Sequence, residues 1–212
     1  MHGLWLTDIF RGLLLGSALV TAAVVLIALF GRYTVGLIPG PHLQSVVLCV
    51  WVLATAAMLE EVMFRGYPFQ RLVESIGPAA ATMIVALFFG AVHLRNPHAT
   101  KLGALNTVLV GVLFALAYLK TRSLWLPFGI HFAWNLTMGL IFGLAVSGIT
   151  MFSVAAIGSA AGSQRLTGGA YGIEASLTGT GVIAIGILIV TLVPARASAL
   201  KNSATPNSQS GI

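Results

Sequence analysis

The chain has 212 residues, 58% of them hydrophobic and 8% charged, with a mean hydropathy of +0.97. A soluble domain carries about 25% charged residues, so this chain cannot cover a water-facing surface and its solvent is a bilayer. The net charge of +6 comes from Lys and Arg scattered singly between apolar runs; that pattern marks membrane topology rather than a nucleic-acid surface.

The apolar residues run continuously, whereas strands of a membrane barrel alternate apolar and polar residues. At about 20 residues per spanning helix, the pattern predicts an all-α, polytopic transmembrane bundle of six spans, a single domain over residues 1–195. The first span is predicted at about Arg11–Phe30, with no cleavage pattern before it, so it stays as an anchor. The second starts near Leu43 and runs through Glu60 and Glu61 to about Val73. A tight turn near Gly77–Pro78 leads to the third, about Ala79–His93, stopped by RNPH. The fourth is about Leu102–Leu119, stopped by KTRS. The fifth is about Leu124–Ala145, with Pro127 in its first turn, where a missing N–H is harmless. The sixth is about Ala175–Val193, stopped by Pro194. Segment 146–174, rich in Gly, Ser and Ala, reads as a loop, with a seventh span as the alternative. The polar tail 196–212 is predicted to be disordered. The single Cys49 excludes an internal disulfide framework.

Six spans put both termini on one side. That side would hold Arg11, Arg65, Arg71, Lys120, Arg122, Arg196 and Lys201, against Arg32, Arg95, Lys101 and Arg165. Seven against four predicts cytoplasmic termini.

Acid is scarce. The chain has five Asp and Glu, and two of them, Glu60 and Glu61, are adjacent at the end of the apolar run LCVWVLATAAMLEEVMFRG. A charge at a membrane-helix centre costs about 2.5–3.5 kcal/mol on the insertion scale, so such residues usually carry protons, ions or catalysis. Two further pieces fall on other spans: Phe89–Gly–Ala–Val–His93 and His131–Phe–Ala–Trp–Asn135. In each, the end residues are four apart and share a helix face. Glu61 lies 16 residues before Gly77 and His93 16 residues after it, so both stand roughly 24 Å from the turn at the helical rise and are level. Each piece also has a structural reading. The glutamates can end a span, with Glu61 pairing Arg65; His93 can cap a helix end; His131 and Asn135 can bond across helices; Phe89 can pack.

Together the set suits activation of water. Adjacent carboxylates in low dielectric titrate jointly, and Arg65 can hold one charged. A carboxylate with an imidazole can move a proton from water to a leaving amine, while a second His and an Asn can donate to an oxyanion. Glu60, His93 and His131 are also the zinc set if a metal is used, though no HExxH motif accompanies them. No GxSxG occurs, and GGAYG at 168–172 is not a P-loop, because no GK[ST] follows.

The segments EEVMFRG (60–66), FGAVH (89–93) and HFAWN (131–135) resemble, in order and spacing, the EExxxR, FxxxH and HxxxN/D signatures of the CAAX protease and bacteriocin-processing (CPBP, or Abi) family. The resemblance covers about residues 44–194. It implies a helical intramembrane endopeptidase whose site opens toward the cytoplasm, with Glu60 as general base, His93 positioning and activating the water, and His131 and Asn135 stabilising the oxyanion. Glu61, Arg65 and Phe89 would support that geometry. A metal-free glutamate mechanism is implied, with no cofactor; zinc is the alternative, since members were long called metalloproteases. LTGGAYGIEASL (166–177) resembles a weaker family feature, which gives Glu174 a structural or accessory role. The chain departs from the family in length: relatives often have about eight spans, and only one here precedes the glutamate helix. That suggests a compact member in a prokaryotic plasma membrane. The implied partners are a peptide or protein substrate, either a C-terminal, prenylated CAAX sequence or a processed peptide, and the lipid bilayer. A proton-coupled carrier also uses buried acids and histidines, but the chain lacks the repeat such folds show. A catalytically silent immunity or scaffold protein is the third reading.

Overall fold

In the computed structural model, residues 4–40 and 42–195 are described; the predicted disordered tail at 196–212 lies outside them. The elements, in chain order, are α1 (Leu4–Phe30), β1 (Arg32–Leu37), α2 (Leu43–Arg65), α3 (Tyr67–Ile76), α4 (Pro78–His93), α5 (Lys101–Thr121), α6 (Trp125–Leu136), β2 (Ala156–Ala161), α7 (Gln164–Thr167) and α8 (Leu177–Leu192). The fold is mostly helical. Three stretches are long and apolar enough to cross a membrane: Leu4–Phe30, Leu43–Ile76 and Lys101–Thr121. At 27 residues, α1 is about 40 Å long by the helical rise. The shorter helices α4 and α8 are also apolar.

Small residues let these helices approach closely, as in membranes, where lipid is as apolar as leucine and packing must drive association. On α1, a Cβ at Gly12 would lie 2.7 Å from the Leu126 carbonyl oxygen, and one at Gly16 would collide with the Ile130 carbonyl. Either side chain would push α6 away. Val20, Ala23, Ile27, Phe114, Ile130 and Ile183 form the buried centre, while Leu29, Phe30, Phe88, Leu188 and Leu192 face outward, as lipid-facing side chains do.

Three sequence expectations are corrected. First, the protein is not all-α: β1 pairs antiparallel with β2, Arg32 opposite Ala161 and Leu37 opposite Ala156. RYTVGL is rich in residues that favour strands. Second, the second span is not one helix. It breaks at Gly66, just before Pro68 in the first turn of the next helix; proline has no N–H to donate back along a continuous helix, and its ring would clash with the carbonyl of Phe64. Third, the fifth span is cut short. α6 ends at Leu136, one π-helical stretch (Thr137–Ile141) follows, and Gly143 then turns the chain at φ +63°. Segment 146–174 is a loop, as its composition predicts, and not the alternative seventh span; it holds β2 and short helices. It is tied down at its end by Asn106 of α5, whose Nδ2 donates to the carbonyls of Glu174 (2.8 Å) and Ser176 (2.9 Å).

Candidate active site

A cavity of about 370 Å³ lies between α2, α4, α5, α6 and the 146–174 loop, with Glu60, His93, Phe114, His131, Asn135 and Glu174 in its wall. The volume falls in the small-ligand range of about 300–1,000 Å³.

Successive residues on a helix point about 100° apart, so the two glutamates diverge. Glu61 is fully buried. Its Oε1 accepts from Arg65 Nη1 at 3.3 Å, one turn on, and lies 2.9 Å from His131 Nδ1. Arg65 is buried too. Its Nη2 donates to the Gly111 carbonyl at 3.2 Å, and its guanidinium carbon stands 4.6 Å from the Phe89 ring centroid and 5.1 Å from that of Phe114. This burial removes Arg65 from the flanking charges; six against four remain in the topology tally, in the same direction.

Glu60 faces the cavity, with 31% of its side chain exposed. Its Oε2 lies 3.9 Å from His93 Nε2 and 3.8 Å from His131 Nε2. It accepts no hydrogen bond from any described residue. It is thus Glu60, not Glu61, that meets His93.

The histidines are oriented from behind. His93 Nδ1 is 2.8 Å from the carbonyl oxygen of Phe89, four residues earlier; because a carbonyl can only accept, Nδ1 carries the proton. The carboxylate of Glu61 does the same for His131 Nδ1. This leaves Nε2 of a neutral His93 as an acceptor, and Nε2 of His131 as an acceptor when the ring is neutral and a donor when it is an imidazolium held by Glu61. Glu60 Oε2 stands 3.9 Å from the first and 3.8 Å from the second, too far to bond either directly and within the span that one water can bridge. Phe114 stacks on the His131 ring (4.9 Å, 23°), and Phe89 lies against His93 with ring centroids 4.5 Å apart. Phe89 therefore packs, as its bland reading had it, and also shapes both the His93 and Arg65 positions. Among the described residues no group of three His, Cys, Asp or Glu side chains is arranged to hold a metal ion, so the zinc set Glu60, His93 and His131 finds no geometric support.

Asn135 shares the cavity wall one helical turn after His131. Glu174 enters from the opposite side. Its Oε1 accepts from Trp134 Nε1 at 3.2 Å, and its Oε2 accepts from the Ser147 backbone N–H at 2.6 Å and from Ser147 Oγ at 2.8 Å. Burial pushes its carboxyl up from the ordinary range, against the opposing pull of the Ser147 hydrogen bonds, the nearby His93 and Trp134. Sequence reasoning touched Glu174 only lightly and did not find Phe114, Trp134 or Ser147. Nothing in the local pattern links residues 27 and 40 positions from Glu174 to its carboxyl group.

Residues 42–137 match the family model described as Rce1-like, type II CAAX prenyl endopeptidase. No curated protein and no solved structure matches the chain.

Proposed function

We propose, from the match of residues 42–137 to the Rce1-like model of CAAX prenyl endopeptidases, that the protein is an intramembrane endopeptidase in which Glu60 activates a water molecule held between the two imidazoles. The observation that carries this reading is that Glu60 Oε2 lies within 3.9 Å of both His93 Nε2 and His131 Nε2, on the wall of a cavity that Asn135 shares.

The steps follow from the atoms. Water donates toward Glu60 and His93, which fixes its lone pair for attack. Glu60 takes one proton as the water oxygen bonds to the carbonyl carbon of the scissile peptide. The carbonyl oxygen becomes an oxyanion, and Asn135 Nδ2 with His131 in its imidazolium form, its Nδ1–H held by Glu61, donate to it. Such donors in a dry site supply about 3–4 kcal/mol each. Collapse of the tetrahedral centre breaks the C–N bond, and Glu60 returns its proton to the leaving amine. Arg65 keeps Glu61 in place, and Phe89 and Phe114 hold the guanidinium.

The substrate is a peptide or protein segment reaching the bilayer. The cavity is walled largely by apolar residues such as Leu53, Phe88, Val92 and Phe152, which suits a greasy chain, including the prenylated C-terminus that the family description names. The arrangement around the site is an integral membrane helical bundle built on the apolar helices described above, with both termini cytoplasmic. The test is cleavage of a peptide library by the purified, detergent-solubilised chain. Glu60→Gln should lose about 10²–10⁴-fold in rate, the usual contribution of a general base; equal rates in both would remove Glu60 from the role.

A further inference from the structure

We propose that Glu174 is a positioning residue for this hydrolysis, clamping Trp134 of α6 to the Ser147 turn and so fixing the direction in which Asn135 points. The proposal rests on the glutamate-water reading above, since it concerns the donor that faces the oxyanion there.

The 146–149 segment is a two-residue hairpin turn. Val146 and Ile149 each donate to the other's carbonyl at 2.9 Å, with Ser147 at φ +49° and Gly148 at φ +83° between them. Positive φ at both central positions defines a turn that glycine and asparagine favour, and serine at the first is disfavoured. Both Ser147 bonds to Glu174 offset that cost. The next N–H, from Gly148, donates to the Tyr171 carbonyl at 2.9 Å, and a side chain at Gly148 would strike the Pro97 carbonyl. The turn is therefore seated on three sides, and Val146, Ser147 and Ile149 form one wall of the cavity.

Glu174 transmits that fixed wall to α6. Trp134 is 4% exposed, and its single donor is spent on Glu174. Asn135 is the next residue, about 100° around the helix. Turning α6 far enough to withdraw Asn135 would pull the Trp134 indole off Glu174. The latch sits at a local irregularity: two residues after Asn135 the helix changes to π geometry, a change found frequently at functional sites. Glu174 is itself held from behind, because Asn106 bonds its backbone carbonyl.

The test compares wild type, Glu174→Gln, Trp134→Phe and the double variant, in the full chain in detergent, with kcat, KM and melting temperature for each. An amide at 174 turns a donor toward donors; phenylalanine keeps the ring and deletes the indole N–H. Each single variant should lower kcat about tenfold with KM within twofold and melting shifted by only a few degrees, and the double should be no slower than the slower single. Unchanged kcat in Glu174→Gln, additive losses, or a KM effect alone would overturn the proposal. A second measurement needs no turnover: the indole N–H resonance of Trp134, identified by its loss in Trp134→Phe, should move in Glu174→Gln. An unmoved resonance rejects the clamp. Glu60→Gln, run alongside, separates the two readings. Full activity in that variant removes the glutamate mechanism, while the indole resonance still decides the clamp.

Discussion

Glu60 and Glu61 are adjacent in the chain, yet their carboxyl groups address opposite nitrogens of the same imidazole: Glu61 Oε1 lies 2.9 Å from His131 Nδ1 and Glu60 Oε2 lies 3.8 Å from His131 Nε2. One acid is sealed in protein and the other is open to the cavity. A helix achieves this with no insertion, because a single step of about 100° separates the inside from the edge. The pair is therefore one structural acid and one accessible acid, joined through His131.

That division predicts different losses. Removing one partner of a buried ion pair costs about 3–5 kcal/mol, because the other charge is left unpaired. Arg65→Met should therefore destabilise the protein strongly, as measured by unfolding in mixed detergent micelles. Glu61→Gln should do so as well, with His131 loosened. Glu60→Gln should leave stability within about 0.5 kcal/mol of wild type, as for substitutions away from buried networks. The double variant Glu61→Gln/Arg65→Met should recover part of the stability. A Glu60→Gln protein that unfolds as readily as Glu61→Gln would contradict the division.

In the proposed mechanism Asn135 donates to the oxyanion, and losing one such donor typically costs about 10²–10³ in kcat. Asn135→Ala should show that drop, with KM nearly unchanged, since the ground-state carbonyl needs the donor less. Steady-state kinetics on one cleaved peptide decides it; a rise in KM with kcat intact would make Asn135 a binding residue instead.

How much of this was legible in the sequence follows from the range of the interactions. The spans around Pro78–His93 and Lys101–Thr121 were legible because a hydrophobic run bounded by Gly77–Pro78, RNPH and KTRS needs only local information. The i,i+4 spacing of Phe89 with His93 and of His131 with Asn135 was legible for the same reason. The divergence of Glu60 from Glu61 was not: the depth argument set Glu61 level with His93, but depth along a helix says nothing about rotation around it. The β pair escaped because Ala156–Ala161 is a small-residue segment with weak strand preference, and its partner lies more than 100 residues away. The early end of the fifth span escaped because Gly139 and Gly143 look harmless in an apolar run. Contacts decide there: a Cβ at Gly139 would lie 2.9 Å from that of Phe152.

In the proposed mechanism Glu60, near both Nε2 atoms, is itself the base that a metal-bound hydroxide would otherwise be. Activity should accordingly survive 1,10-phenanthroline at millimolar levels and should not rise on adding zinc. The measurement is cleavage rate before and after chelation and after re-addition of metal. Loss with chelator and recovery with zinc would replace the glutamate mechanism with a metal one, since metal-dependent activity tracks occupancy of the ligands.

Glu174 makes stability depend on pH in a defined sense. Its carboxyl is pushed above the ordinary value of 4.5 by burial, the largest influence, with the Ser147 bonds, His93 and Trp134 opposing. A raised folded-state value means that the folded protein binds this proton more tightly than the unfolded chain does, so stability falls as pH rises wherever the folded state holds more protons. The contribution is therefore complete below about pH 4.3, the unfolded carboxyl value, and is lost as pH climbs through the folded value. Glu174→Gln has no proton to lose. The melting temperature of wild type minus that of Glu174→Gln should fall as pH rises above the unfolded carboxyl value and level off beyond the folded one. Tyr171 also titrates near this carboxyl, and because it is present in each protein, the difference curve largely cancels its own slope. A difference that rises with pH would mean that the three donors outweigh burial and that the carboxylate is held charged.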